Sequence, residues 1–255
     1  MIGDFKDRAE AGRQLATAVV RLGLTDPLVL ALPRGGVPVA AEVARALHAP
    51  LDVLIVRKIG APGQPELAVA AIAEGNPPTV VIDESTSQVT EGDHAYIKRE
   101  VRAQRGEIER RCNTYRRGRA RLGVAGKTVV VVDDGIATGT TVRAALKALR
   151  RMRPAKVLLA VPVASNDTLD ELSKLVDDVI CLSQPGRFGS VGTYYADFHQ
   201  VDDEEVIALL DAAAVRMAHE PAARALKSGE LFSIQPSRSE SSIEPKGPLR
   251  GSWPR

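Results

Sequence analysis

The residues best suited to chemistry lie in one segment, VVVVDDGIATGTT, which runs from Val129 to Thr141. Four valines lead into two adjacent carboxylates, Asp133 and Asp134, and a loop of small and hydroxyl residues follows. A continuous apolar run of this length is typical of a buried parallel strand. Because open α/β sheets bind ligands outside the carboxyl ends of their strands, the two acids are candidates for contacting a polar ligand there.

The residues after the acid pair have the composition of a phosphate-binding loop. The loop consists of Ala137, Thr138, Gly139, Thr140 and Thr141, and a helical segment follows at residues 142–152. Backbone N–H groups at the start of a helix point outward and favour anions. Carboxylates for hydroxyls beside a cradle for phosphate predict a site for a phosphorylated sugar. The alternative is a strand–turn–helix unit that uses Asp, Gly and Thr only as caps.

This pattern resembles the PRPP-binding motif of type I phosphoribosyltransferases, in which hydrophobic residues, two acids and a hydroxyl-rich loop follow in this order (PRPP is 5-phosphoribosyl diphosphate). Gly135 departs from the motif, which usually has an aliphatic residue directly after the acids. The resemblance implies that Asp133 and Asp134 are catalytic residues that bind the ribose 2′- and 3′-hydroxyls, and that residues 137–141 bind the 5′-phosphate. It also implies Mg²⁺, held mainly by PRPP and water, with no protein ligand assigned.

Two further segments match the same family. The resemblance implies that the loop after the first strand binds diphosphate through the side chain of Arg34 and the N–H groups of Gly35 and Gly36. The equivalent family loop often carries a non-proline cis peptide bond, which we expect between Arg34 and Gly35. Lys58, expected beside Arg57 at the end of the second strand, is a further diphosphate and catalytic candidate. The alternatives are a glycine turn and a solvated strand-end charge.

A fourth segment, at about residues 184–200, is rich in glycine and aromatic residues. It loosely resembles the hood of 6-oxopurine phosphoribosyltransferases. The resemblance implies that Phe188 stacks on the acceptor, that Val191 lies beside it and that Asp197 lies near the metal. The alternative for Phe188 is packing within the hood. Purine-salvage members often have an acid where this chain has Ala137, which argues against ordinary hypoxanthine or guanine salvage.

Strand-like and helix-like segments alternate along most of the chain, and this alternation predicts an α/β, doubly wound fold. We expect a mainly parallel five-stranded sheet of the type I phosphoribosyltransferase kind, with one strand at residues 51–56, a hairpin at residues 67–82 and a small hood. The domain is expected to span residues 1–220. Beyond Gly229 the chain is rich in Ser, Pro and charge, and residues 221–255 are expected to form a mostly disordered tail or linker.

Overall charge and hydropathy exclude some classes of partner. The 255 residues include 34 Lys and Arg against 32 Asp and Glu, so net charge indicates no particular partner. No apolar run approaches the roughly 18 residues of a membrane span and no leader is evident, so a cytoplasmic protein without membrane contact is expected. The resembling family is often dimeric, which makes a homodimer one candidate assembly.

A basic stretch at residues 98–121 has three interpretations. It contains ten basic residues and three acids in a segment with helical character. It could be a solvated helix, a lid over the diphosphate or a nucleic-acid patch. Tyr96 and Tyr115 are the only aromatic residues nearby, so stacking on bases is poorly provided for and nucleic acid is not the expected partner.

These segments together predict a Mg²⁺-dependent transferase that moves the 5-phosphoribosyl group of PRPP to a nucleobase-like nitrogen acceptor and releases diphosphate. The residues do not define the acceptor. One alternative is a non-catalytic, PRPP-sensing regulator that binds nucleic acid through residues 98–121. Another is a hydrolytic or phosphorolytic enzyme acting on a sugar phosphate.

Overall fold

The computed structural model describes residues 4–75, 78–82 and 91–228, without the side chains of residues 65–68, 91–93 and 220–228. The helices are α1 (Arg8–Val20), α2 (Gly36–Ala46), α3 (Glu91–Arg116), α4 (Thr140–Arg151), α5 (Asn166–Ser173) and α6 (Asp203–Ser228). The strands are β1 (Pro27–Ala31), β2 (Leu51–Val53), β3 (Val56–Ala61), β4 (Gln64–Ala73), β5 (Thr79–Ile82), β6 (Thr128–Val132), β7 (Lys156–Val163) and β8 (Asp178–Ser183). A short 3-10 helix spans Val191–Tyr194.

The main sheet has five parallel strands in the order β2-β1-β6-β7-β8. Successive side chains of β6 point to opposite faces, as strand geometry requires. Val130 and Val132 pack in a core that includes residues of α1 and α2, whereas Val129 and Val131 pack in a second core with residues of α4 and α5. Both faces are therefore covered by helices, and the predicted doubly wound fold is confirmed.

A second sheet contains the antiparallel strands β3, β4 and β5. The predicted strand at residues 51–56 is confirmed at its start and wrong at its end, because β2 ends at Val53 and the chain enters the second sheet at Val56. Leu54 and Ile55 are both buried, so the apolar run continues across the break and conceals it. The predicted hairpin is confirmed as β4 and β5, whereas the hairpin of β3 and β4 is an addition that the sequence did not predict.

The long helix α6 begins where Asp202 caps it, since Asp202 Oδ1 accepts a hydrogen bond of 2.7 Å from the backbone N–H of Glu205. The helix continues through residues 221–228, the first part of the predicted tail. The chain divides after Ala218 into two units. The rest of the predicted tail, residues 229–255, lies outside the described residues. Among the described helices, none has both the length and the apolar character of a membrane span.

Candidate active site

The acid pair lies at the carboxyl end of β6, the central strand of the main sheet. Asp133 and Asp134 are partly buried, and the Asp134 backbone N–H donates to Asp133 Oδ1 at 2.9 Å. The loop after β1 packs directly against them. A Cβ on Gly36 would lie 2.7 Å from the carbonyl oxygen of Val132, and one on Gly35 would overlap the Asp134 carboxylate. The structure therefore brings the predicted diphosphate loop and the predicted ribose-binding acids together.

The same loop contains a non-proline cis peptide bond, which joins Pro33 to Arg34 and thus lies one residue before the expected position. Arg34 is 37% exposed, and its Nη1 lies 3.8 Å from Asp203 Oδ1 at the start of α6. Asp203 Oδ1 also accepts a 2.8 Å hydrogen bond from the hydroxyl of Tyr115. Arg34 is consequently at the edge of the site with its guanidinium partly open to solvent.

The predicted phosphate loop connects β6 to the amino end of α4. Gly139 has a left-handed backbone (φ 67°), and a Cβ there would overlap the Thr168 side chain. Thr168 Oγ1 donates to the Ala137 carbonyl at 2.7 Å, so α5 fastens the loop from behind. Thr138 and Thr141 are exposed. The loop thus combines exposed hydroxyl residues with the positive end of the α4 dipole.

The two acids share an electrostatic environment that favours the binding of hydroxyl groups and cations. Burial, and then the charge of Asp134, raise the pKa of Asp133 well above its ordinary value. Burial also raises the pKa of Asp134, and the Arg8 guanidinium opposes that rise. Arg8 Nε donates to Asp134 Oδ2 at 2.8 Å, and the Arg8 side chain is only 7% exposed.

Sequence reasoning missed Arg8 and Tyr195, which both contact the acid pair. The Tyr195 hydroxyl donates to the Asp134 carbonyl at 2.5 Å, and burial raises the pKa of Tyr195. Arg8 lies 126 positions from Asp134 along the chain, so no local spacing could have connected them. The one available signal was the unusual place of Arg8, a cation in the first turn of a helix, α1.

The hood packs against the acid loop through Val191, whose Cγ1 would lie 2.5 Å from a Cβ on Gly135. Phe188, the predicted stacking residue, is partly buried and packs on Tyr194 with ring centroids 5.3 Å apart. Asp197 is exposed, and its Oδ1 accepts from the backbone N–H of His199 at 3.0 Å, which lowers its pKa. Of the three hood candidates, the structure thus brings Val191 against the acid loop.

The basic pair at residues 57–58 occupies a different place from the one predicted. Arg57 and Lys58 lie within β3 of the second sheet rather than at the end of β2. Arg57 Nε donates to Gln104 Oε1 on α3 at 3.0 Å, and Lys58 is paired in register with Ala71. The predicted position was wrong because the break between β2 and β3 is concealed in the apolar run.

The basic stretch at residues 98–121 is largely neutralised by ion pairs. Surface arginines pair with acids one turn away on α3: Arg105 with Glu109, and Arg110 and Arg111 with Glu107. Arg119 pairs with Asp211 on α6. The solvated-helix interpretation does not hold for Arg116, which is buried. Its Nε lies 2.8 Å from Asp52 Oδ1, and its Nη1 lies 2.5 Å from Glu74 Oε2. This part of the chain therefore offers less free positive charge than its composition indicates.

Comparisons with known proteins agree with this geometry. The phosphoribosyl transferase domain family matches residues 1–198. Two Mycobacterium tuberculosis proteins, named "Putative phosphoribosyl transferase Rv0571c" (strain H37Rv) and "Putative phosphoribosyl transferase MT0597" (strain CDC 1551), are each 46% identical over 209 residues, which is 82% of this chain and 47% of theirs. The chain thus spans about half the length of these curated relatives.

A solved structure shows the same similarity in three dimensions. The crystal structure of TT1426 from Thermus thermophilus is 45% identical and superposes with a TM-score of 0.74, over 82% of this chain and 98% of that one. Since the family match covers more than half of the sequence, this chain belongs to the phosphoribosyl transferase domain family.

Proposed function

We propose that this protein transfers the 5-phosphoribosyl group of PRPP to a nucleobase-like nitrogen acceptor and releases diphosphate. The observation that carries the proposal is the position of Asp133 and Asp134, between the glycine loop at Gly35 and the amino end of α4. The ribose, the diphosphate and the 5′-phosphate of PRPP each require one of these three neighbouring parts.

Each part has a defined role in the proposal. Asp133 and Asp134 accept hydrogen bonds from the ribose 2′- and 3′-hydroxyls. Backbone N–H groups and hydroxyls of residues 137–141 bind the 5′-phosphate at the positive end of α4. The N–H groups of Gly35 and Gly36, together with the side chain of Arg34, bind the diphosphate. Lys58 remains a further diphosphate candidate, now from the second sheet.

The chemistry that these residues would assist is a displacement at C1′. The bond from C1′ to the diphosphate oxygen breaks, the acceptor nitrogen forms a new bond from the opposite face, and the configuration at C1′ inverts. Positive charge develops on the ribose, so carboxylates held nearby stabilise the transition state. The hood, with Val191, Phe188 and Asp197, is proposed to bind the acceptor and exclude water.

Mg²⁺ is the cofactor that we propose, and the donor set fits it. Asp133 and Asp134 supply hard carboxylate oxygens beside the diphosphate loop, which suits an ion that prefers oxygen ligands and keeps several waters. We expect PRPP oxygens and water to hold most of its coordination sites. When bound, it supplies charge neutralisation for the departing diphosphate. We further expect a cytoplasmic location, where PRPP is available, and a homodimer.

The nucleic-acid alternative receives no support from the described part of α3. Arg105, Arg110 and Arg111 each pair with Glu107 or Glu109 on the same helix, which reduces the positive charge that this face presents. Affinity for the phosphate backbone depends on the number of phosphates that Lys and Arg neutralise.

The proposal can be tested by following diphosphate release from PRPP and Mg²⁺ across a panel of purine, pyrimidine and simple nitrogen acceptors. We expect release that depends on one acceptor class, with a nucleotide product of inverted C1′ configuration. Release of ribose 5-phosphate without any acceptor would instead identify a hydrolase. PRPP binding without release for every acceptor would identify a sensor.

A further inference from the structure

A buried cation from the first turn of α1 reaches into the site. Arg8 is the first residue of α1, which Asp7 caps by accepting from the Glu10 backbone N–H at 2.7 Å. A cation is unfavourable at this end of a helix, because the helix dipole is positive there. Burying an arginine is also costly unless it is paired. Local helix stability therefore does not explain why a buried arginine occupies position 8. Its contacts with other parts of the fold must explain it.

Those partners come from two different parts of the site. Arg8 Nε donates to Asp134 Oδ2 at 2.8 Å, and Arg8 Nη1 donates to the His199 carbonyl at 2.8 Å. The guanidinium carbon lies 3.8 Å from the centroid of the Phe198 ring, within the range of a cation–π contact. The planar guanidinium of Arg8 thus joins the acid pair to the last residues of the hood.

The carboxylate that Arg8 contacts has little freedom to move. Asp134 Oδ2 lies so close to Gly35 that a methyl group there would overlap it. The Asp134 backbone is held as well, since its carbonyl accepts from the Tyr195 hydroxyl. Among the described interactions, Arg8 therefore supplies the side-chain hydrogen bond that fixes the orientation of the carboxylate.

The hood is attached to the same N-terminal segment by backbone hydrogen bonds. The Phe5 N–H donates to the Tyr194 carbonyl at 3.0 Å, and the N–H groups of Ala196 and Asp197 donate to the carbonyls of Phe5 and Lys6, both at 2.8 Å. Arg8 continues this attachment at the point where the hood passes the acid pair. Residues 5–8 consequently form a strap across the hood, with Arg8 as its one contact to Asp134 among the described interactions.

We propose that Arg8 is a positioning residue of the PRPP site: it holds the Asp134 carboxylate in the orientation that binds ribose hydroxyls, and it keeps hood residues 198–199 beside it. This inference rests on the proposed function, because it assigns PRPP as the ligand of Asp134. It extends the site beyond the acid pair, the phosphate loop and the diphosphate loop to a residue on α1.

The test compares Arg8→Met and Arg8→Lys with Arg13→Met on the same helix. Arg13 is a matched control, since its side chain is 53% exposed and its contact to Glu42 is long, at 3.9 Å. PRPP affinity would be measured by titration calorimetry with Mg²⁺ on protein shown to be folded by circular dichroism. Amide hydrogen exchange at residues 196–199 would report the attachment of the hood.

We expect Arg8→Met to weaken PRPP binding by at least about tenfold and to accelerate exchange at residues 196–199, whereas Arg13→Met changes neither. Arg8→Lys should bind PRPP more tightly than Arg8→Met, because it restores the positive charge beside Asp134 but not the planar guanidinium that contacts both Asp134 and the His199 carbonyl. Unchanged or tighter PRPP binding in folded Arg8→Met, with the wild type binding normally, would overturn this inference alone. Failure of the wild type to bind PRPP would overturn the proposed function and this inference with it.

Discussion

Gly135 and Val191 occupy complementary space: a Cβ on Gly135 would lie only 2.5 Å from Val191 Cγ1 and 3.0 Å from Val163 Cγ1. The resembling motif usually has an aliphatic residue directly after the acids. In this chain the hood fills that space with Val191 instead, and glycine is the residue that leaves room for it. The departure from the motif is therefore compensated by the hood.

Restoring an aliphatic side chain after the acid pair should overfill this space. We expect Gly135→Val to lower the free energy of unfolding by about 1–3 kcal/mol, the usual cost of overpacking a closed site. Urea unfolding measures the change. Adding Val191→Ala to Gly135→Val should recover part of the loss, although Val191→Ala alone is destabilising. Strictly additive losses in the double variant would show that the two residues do not share space.

The phosphate loop depends on Gly139 for two separate reasons, its left-handed backbone and its contact with Thr168. Gly126 is a control that separates the backbone effect from the contact with Thr168, because it has a similar φ of 72° but nothing within 4 Å of its Cβ position. We expect Gly126→Ala to cost about 1–2 kcal/mol from backbone conformation alone. Gly139→Ala should cost more and should also weaken PRPP binding, as measured by urea unfolding and calorimetry. Equal losses of unfolding free energy in Gly126→Ala and Gly139→Ala would mean that the Thr168 side chain moves away from the new methyl group at no cost.

The sequence was sufficient for the main sheet because each of its central strands is a short apolar run followed by turn residues. Val129 to Val132 and the following acids could be placed on a strand end from their types alone. The end of β2 could not be located from the sequence, since Leu54 and Ile55 remain buried after the strand ends. A periodicity argument detects burial and not hydrogen-bond partners, so it assigned Lys58 to the wrong sheet.

The part of the site that escaped prediction consists of contacts between distant segments. Arg8 and Tyr195 converge on Asp134 from α1 and the hood, at separations of 126 and 61 residues. Neither residue belongs to a local motif, so only the folded structure could connect them. The same is true of Arg116, which belongs to the basic stretch by sequence but is buried against Asp52 and Glu74.

Arg116 links the main sheet, the second sheet and α3. It pairs with Asp52 and Glu74, which are both buried, and it also donates to the Val53 carbonyl at 3.0 Å. Arg116→Met should lower the free energy of unfolding by about 3–5 kcal/mol, because it removes the close cationic partner of two buried carboxylates and leaves only Arg121, 3.9 Å from Glu74. Urea or thermal unfolding measures this.

The neighbouring Arg117 provides the control for Arg116. It is 64% exposed and lies 3.6 Å from Asp211, so Arg117→Met should change the free energy of unfolding by less than about 0.5 kcal/mol. Comparable losses in both variants would contradict the role assigned to the buried arginine.

His199 should make the stability of the hood depend on pH. Its ring nitrogens face Glu205 and Asp197, at 3.3 and 3.2 Å, and these acids raise its pKa above the ordinary value of 6.5. A raised folded pKa means that the stabilisation is complete below pH 6.5 and is lost as pH rises through the folded pKa. The difference in the free energy of unfolding between wild type and His199→Gln should therefore be larger at about pH 6 than at about pH 8. A difference that grows with pH would contradict the assignment.

The central claim is that Asp133 and Asp134 bind PRPP. Asp177 and Asp178 provide a matched control. This adjacent acid pair lies at the amino end of β8, whereas Asp133 and Asp134 lie at the carboxyl end of β6. Asp177 Oδ2 accepts from the Val157 N–H at 2.7 Å, which is a structural role.

The most direct measurement is calorimetric titration of PRPP, with and without Mg²⁺, into the wild type and the two double variants to Asn. The account predicts Mg²⁺-dependent binding by the wild type and by Asp177→Asn with Asp178→Asn. It predicts no detectable binding by folded Asp133→Asn with Asp134→Asn. Equal PRPP affinity in all three folded proteins, or no binding by the wild type, would contradict it.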